Sequence, residues 1–413
     1  MSGFFTSRWV PRPDHVAEAA DDTLPAGFRA AGVAAGIKPS GALDVGLLVC
    51  DAPDAVSAAR FTSSAVVAAP VQVTRERARL DRLRAVVVNS GNANAATGRL
   101  GLDEAARVQG AGAMAAGVAA EQVAVASTGV IGVQLDGQAV VRGLLAANGR
   151  LSPDGAREFA EAIKTTDAID KRVTLDVELP SGRVRLAAQC KGAGMISPRF
   201  ATMLCFVETD AAMSAQTADL LLGVCVKRSF DRCSVDGQLS TNDTAILIAS
   251  GAGGVRIEPE TEDELRFGEA LDALLRQLAI LMVRDGEGAA RVGRVVVRGG
   301  DGRAVEAVAR AVADSPLVKT ALHGGDPNWG RIAQAAGAAL AGGAPVPVDI
   351  AIEGIPVCRG GAAVRVDQAR LDAAVARDEV EYEVRLPGDG AETEVFFSDL
   401  GHGYITINAE YTT

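Results

Sequence analysis

Aromatic residues make up only 4% of this 413-residue chain, too few for the stacking platforms that hold single-stranded nucleic acid or sugars. Histidine is scarcer still, at His15, His323 and His402, and the six cysteines (Cys50, Cys190, Cys205, Cys225, Cys233, Cys358) form no CxxC pair. The usual Cys/His spacing of a zinc site is therefore missing. Sparse cysteines in a chain without a signal peptide read as reduced, buried thiols. Positive charge is in deficit: Lys+Arg 41 against Asp+Glu 52 gives a formal net charge of -11, the wrong sign for a nucleic-acid partner. Long apolar runs are also missing. Residues 1–22 contain no apolar h-region, and the most apolar helical stretch, 274–283, is short and interrupted by Arg276. No membrane contact is expected, and the protein reads as soluble and cytoplasmic. The GxxxxGK[ST], GxGxxG and GxSxG patterns do not occur.

Glycine is plentiful, 46 residues against the ~7% of ordinary proteins, and 48% of the chain is apolar. A core of Ala, Val, Leu and Gly with closely packed backbone follows, and the length suits two or three domains. Residues 1–25, rich in Pro and Asp, read as a loose arm. Beyond them, short β-type runs (47–50, 85–88, 123–126, 245–249) alternate with helical patterns at 103–117, 211–230 and 260–283. At Asp285-Gly286-Glu287-Gly288 turn chemistry takes over. A second set follows: strands at 295–297, 348–352 and 379–386, and helices at 304–313, 332–340 and 371–377. The fold class is mixed α and β.

The chemistry concentrates at residues 191–204. Lys191-Gly192-Ala193-Gly194-Met195 forms a tight glycine loop, and Ala201-Thr202 stands where that loop enters an apolar strand. Thr202 is a candidate nucleophile, but an alcohol needs a base. Cutting the 201–202 bond would supply one, because the liberated α-amine has a pKa of ~7.7–8.0 against ~10.4 for lysine. Such a nucleophile needs no histidine. The same residues also suit an ordinary strand threonine after a glycine turn. A second element, Thr128-Gly129 after the strand at 123–126, offers a hydroxyl and an unhindered N–H for an oxyanion hole; taken alone, common strand–turn chemistry is the simpler account of it. His323 reads as a hydrogen-bonded loop histidine; with His402 it offers the remaining route to a Ser-His-Asp triad.

Segments 27–38, 89–97, 126–132, 165–167, 191–204, 235–244, 285–289, 326–332 and 407–412, in this order, together resemble the ornithine acetyltransferase (glutamate N-acetyltransferase) family of the cyclic arginine pathway. The resemblance runs end to end. It implies an α+β fold, an α/β/β/α sandwich with a second, smaller α/β domain. The implied organisation is an arm at 1–25, a catalytic domain over 26–285 containing the 201/202 junction, a smaller domain over 286–400, and a tail over 401–413 that returns to the active site. It implies self-cleavage between Ala201 and Thr202, an acetyl ester on Thr202, and an oxyanion hole at Thr128 and Gly129. Thr165, Lys191, Thr202, Glu287, Asn408 and Thr413 match the family's substrate contacts, with Thr166 a near-equal choice for the first. Implied partners are N-acetylornithine and glutamate, and two cleaved α/β pairs in an α2β2 tetramer. No cofactor or metal is implied, and acetyl-CoA stays open as a second donor.

Departures from the family pattern are Arg199-Phe200 ahead of the junction, Cys205 after it, and Arg232-Cys233-Ser234. They leave two other readings in play: a paralogue with the same chemistry on another donor or acceptor, and an uncleaved chain that only binds.

Overall fold

The computed structural model describes residues 3–197 and 203–410. Two sheets lie face to face. The four-stranded one runs in the order Phe28–Val33, Val45–Cys50, Ala85–Asn92, Val123–Val130. The six-stranded one runs Val16–Glu18, Lys171–Leu179, Gly182–Lys191, Leu204–Thr209, Thr244–Ala249, Val56–Phe61. Side chains alternate across each strand, so each sheet has two apolar faces. Leu48, Val86 and Val88 meet Leu204, Phe206, Ile246 and Ile248 between the sheets. The helix Ala156–Ile163 joins them there, its Phe159 ring 5.6 Å from that of Phe206. On the outer face of the first sheet, Leu47, Val87 and Val125 pack with Val108, Val140 and Leu144 of the helices Gly98–Ala116 and Gly137–Asn148. On the outer face of the second, Cys205, Val207 and Leu247 pack with the helices Ala215–Arg228 and Glu262–Arg284. The result is the α/β/β/α sandwich that the resemblance implies. Strands such as Val45–Cys50 and Thr244–Ala249 are buried at every residue, which is why they read as continuous apolar runs rather than as alternating ones.

The glycine excess has a packing cause. A Cβ on Gly112 would stand 2.4 Å from Val87 Cγ2, so the helix Gly98–Ala116 rests on its sheet only because that side chain is missing.

A seven-stranded sheet follows, in the order Cys233–Ser234, Glu392–Ser398, Val292–Arg298, Glu379–Arg385, Asp349–Ile352, Ile355–Arg359, Ala362–Ala363. Helices Gly302–Asp314, Pro316–Gly324, Trp329–Ala339 and Gln368–Val375 cover one face through Val308, Val312, Leu322, Ile332 and Leu371. Toward the first unit, Phe396 and Val292 join the core of the helix Glu262–Arg284, and Arg276 pairs with Glu394 at 2.6 Å.

Residues 3–25 are not a loose arm. Val10, Val16 and Leu24 are buried, Val16–Glu18 pairs antiparallel with 175–177, and Trp9 packs on Phe396 with ring centroids 5.8 Å apart. Their apolar residues are separated by Pro and Asp without a regular period, so the sequence pattern hides the docking.

Candidate active site

A cavity of about 240 Å³ opens where several elements end; its lining includes Thr128, Gly129, Thr165, Thr166, Lys191, Gly194, Asp236, Glu287, Tyr404 and Asn408. Thr128 and Gly129 close the strand Val123–Val130, which runs parallel to Ala85–Asn92 and meets an irregularity at Gly91–Asn92. A Cβ on Gly129 would lie 2.3 Å from the Gly91 carbonyl carbon, and its φ is +130°, so glycine is required there. Lys191 ends the strand Gly182–Lys191. Thr165 and Thr166 follow the helix Ala156–Ile163, and Glu287 follows Glu262–Arg284. Tyr404 and Asn408 sit one turn apart on the C-terminal helix His402–Glu410. Sequence-predicted residues from five separate segments thus converge on one cavity. Ala201, Thr202 and Thr413 lie outside the described residues. His323 and His402 do not line the cavity; His323 belongs to the end of the helix Pro316–Gly324 rather than to a loop, and its Nδ1 is 2.7 Å from Asp399 Oδ2.

The cavity has a cationic and an anionic half. The buried Lys191 ammonium donates to Thr165 Oγ1 at 2.8 Å and to Thr128 Oγ1 at 3.2 Å. Burial lowers its pKa, and Asp167 works against that shift. Asp167 itself accepts from Gly192 N at 2.7 Å and from Lys171 Nζ at 2.7 Å. Its burial would raise its pKa, but Lys191, Lys171 and the Gly192 N–H hold it well below the usual carboxylate range. Lys171 also pairs with Asp285, which accepts from Ala168 N and Ile169 N. Behind the cavity, then, two lysines face two aspartates.

Opposite, Glu287 accepts from Thr166 Oγ1 at 2.9 Å and from Asn408 Nδ2 at 2.8 Å. A Cβ on Gly194 would lie 2.8 Å from the Glu287 carboxyl carbon, so the glycine loop packs directly on that carboxylate. Asp236 accepts from Met195 N at 2.7 Å, Ile196 N at 3.0 Å and Gln238 N at 3.1 Å. It holds a turn in which Met195 takes a left-handed φ of 54°. Burial raises the Asp236 pKa, and those backbone N–H groups oppose the rise. The Tyr404 hydroxyl lies 3.5 Å from Asp236 Oδ2, and burial beside Asp236 and Glu287 pushes its pKa up to about 12.

Of the described residues around the 201/202 position, Met195 lines this cavity. The strand Leu204–Thr209 pairs with Gly182–Lys191 so that Leu204 is the Cα partner of Lys191. Met203 N donates to Asp243 Oδ1 at 3.0 Å. Asp243 is fully buried, which raises its pKa well above the ordinary carboxylate value. Sequence reasoning gave no role to Asp167, Asp236, Asp243 or Tyr404. The first three stand inside segments that carried the family resemblance, and that was the available signal. Tyr404, on a helix without a buried face, carried none. Among the described residues, no group of three or more His, Cys, Asp and Glu is placed to hold a metal ion, and no helix is long and apolar enough to cross a membrane.

Against known proteins, the model of the ArgJ family matches residues 29–413. The "Arginine biosynthesis bifunctional protein ArgJ" of Symbiobacterium thermophilum is 42% identical over 398 residues, covering 95% of this chain and 98% of that protein. The protein of the same name from Rhodopirellula baltica is 44% identical over 399 residues, covering 94% and 96%. A crystal structure of ornithine acetyltransferase from Mycobacterium tuberculosis in complex with ornithine aligns at 36% identity with a TM-score of 0.41, over 46% of this chain and 100% of that one.

Proposed function

The chain belongs to the ArgJ family, and on that premise we propose that it is a glutamate N-acetyltransferase that moves the acetyl group of N-acetylornithine to glutamate in arginine biosynthesis. The observation that carries this reading is the convergence of Thr128, Gly129, Lys191, Glu287 and Asn408 on one cavity, with the strand that begins just after Thr202 paired to Lys191.

The chain would first cleave itself between Ala201 and Thr202. The freed α-amine of Thr202 then takes the proton of its own hydroxyl as the oxygen attacks the acetyl carbonyl. With a pKa of ~7.7–8.0, roughly a tenth of that amine is neutral at pH 7. Thr128 and Gly129 hold the oxyanion. The C–N bond breaks, ornithine departs with the proton, and the acetyl group remains as an ester on Thr202. Glutamate enters the same cavity, and its amine takes the acetyl group by the reverse steps. Donor and acceptor share an α-amino-acid skeleton, so one cavity serves both. The cationic half around Lys191 and Thr165 suits the α-carboxylate, and Glu287, held by Thr166 and Asn408, suits the ornithine side-chain end. Transfer between two amines of similar strength is nearly isoenergetic, so the scheme needs no cofactor. We place the enzyme in the cytoplasm, as two cleaved chains in an α2β2 tetramer.

N-terminal sequencing of the bands on a denaturing gel tests cleavage: the expected second fragment begins Thr202-Met203-Leu204, and an active protein that stays as one band overturns the scheme. Labelled N-acetylornithine should leave label on that fragment, and added glutamate should carry it off as N-acetylglutamate. Label that stays on the protein would mean another acceptor. Acetyl-CoA in place of N-acetylornithine tests the second donor.

A further inference from the structure

Lys191 engages two hydroxyls at once, Thr165 Oγ1 at 2.8 Å and Thr128 Oγ1 at 3.2 Å. A hydroxyl has one proton and two acceptor lone pairs. With an ammonium N–H on a lone pair of Thr128, that oxygen is already an acceptor on one side, and its proton is left for another partner. Among the described residues, none accepts it. Lys191 and Thr128 are both buried, so their contact is little screened and a charge-assisted bond there is strong. The backbone under Thr128 is fixed as well: Ser90 is its Cα partner on the adjacent strand, and the next residue, Gly129, lies against Gly91.

We propose that Lys191 is a positioning residue for the oxyanion site. By donating to Thr128 Oγ1 it fixes that hydroxyl as a donor and extends its positive charge, through the hydroxyl, to the oxygen that becomes negative in acyl transfer. The proposal rests on the acetyltransferase reading above and gives Lys191 a part beyond contact with a substrate carboxylate. Two of its three N–H groups are already taken by the threonines, and Asp167 Oδ2 lies 4.0 Å away. The substrate carboxylate then meets the Thr165 hydroxyl with Lys191 behind it. No proton moves from Thr128 in this scheme. The π pair of the carbonyl shifts to oxygen as the nucleophile bonds to carbon, the Thr128 O–H hydrogen-bonds to that oxygen, and the pair returns when the amine leaves.

A double-mutant cycle on kcat and KM tests this with the cleaved enzyme. Wild type is assayed first, for transfer from N-acetylornithine to glutamate; no transfer there overturns the functional reading itself. Given transfer, Thr128→Val and Lys191→Met should each lower kcat about 100-fold, as the loss of one oxyanion donor does. In the Thr128→Val background, Lys191→Met should lower kcat less than about threefold further, because its route to the oxyanion is already gone. Losses in kcat that multiply in the double variant, or a Lys191→Met variant that raises KM with kcat intact, would overturn the proposal. Should Lys191→Met fail to fold or cleave, Lys191→Gln takes its place and the infrared spectrum of the 13C-acetyl-enzyme is read. The carbonyl band is expected at higher frequency in Lys191→Gln and in Thr128→Val than in wild type, with the double variant shifted no further than Thr128→Val, and a Lys191→Gln band at the wild-type position would sink the idea.

Discussion

Thr165 and Thr166 are neighbours in the chain with opposite partners: the first accepts from Lys191, the second donates to Glu287. The sequence offered them as near-equal choices for one contact. Which hydroxyl faces which charge depends on how the chain leaves the helix Ala156–Ile163, and no spacing rule encodes that. Thr128, Gly129, Lys191, Glu287 and Asn408 were legible through their motifs, whereas Asp236, inside a motif but given no role, holds Met195 N and Ile196 N through its carboxylate. The decisive test at this scale is of the proposed nucleophile, Thr202. Thr202→Ala should abolish both cleavage and transfer, and Thr202→Ser should keep part of each, measured by gel and by acetylglutamate formation. Normal processing of the alanine variant would mean that another group cuts the chain.

Within the sandwich, Glu208 of the strand Leu204–Thr209 is wholly buried; Gln189 Nε2 donates to its Oε2 at 3.1 Å, and among the described residues no hydrogen bond reaches its Oε1. Burial raises its pKa well above the ordinary carboxylate value, and the bond from Gln189 opposes this. A folded-state pKa above the unfolded one means that the native state holds more protons, so stability is greatest below the unfolded pKa of ~4.3 and declines as pH rises toward the folded one. Glu208→Gln removes the titration. Between pH 5 and 8 its thermal midpoint should fall less than that of wild type; parallel curves would mean that Glu208 does not titrate with folding. Among the elements, the strands Val45–Cys50 and Thr244–Ala249 were read to within two residues because both faces are apolar, Ala85–Asn92 and Val123–Val130 were read four residues short where polar residues and glycine end the apolar run, and Lys171–Leu179 and Gly182–Lys191 went unread. The helices Gly137–Asn148 and Ala156–Ile163 went unread, the second having only eight residues, too few for a helical period to stand out. The C-terminal helix His402–Glu410 has no buried residue, so its work is done by Tyr404 and Asn408. Truncation after Gly401 should leave the thermal midpoint within about 3 °C and destroy transfer; a collapse of the fold on truncation would make the helix structural instead.

For the molecule as a whole, the 201/202 position falls, in chain order, between strands of one sheet. Of the six strands, Val16–Glu18, Val56–Phe61, Lys171–Leu179 and Gly182–Lys191 precede it, and Leu204–Thr209 and Thr244–Ala249 follow it. Cleavage there would cut a covalent bond and leave the strand ladder and both apolar faces in place. The two fragments should therefore co-elute in native chromatography and part only in denaturant; fragments that separate in plain buffer would contradict this sheet topology. By itself the sequence determined the mixed α and β class, several of the buried strands and the family, because apolar period, turn residues and local motifs are short-range properties. The tertiary structure alone decided that residues 3–25 are docked, that a two-residue strand at Cys233–Ser234 joins the later sheet, and that Lys191 reaches Thr128 across 63 positions of the chain. These are contacts between segments far apart in sequence, fixed only when the layers pack, and nothing local foretells which side chains will meet.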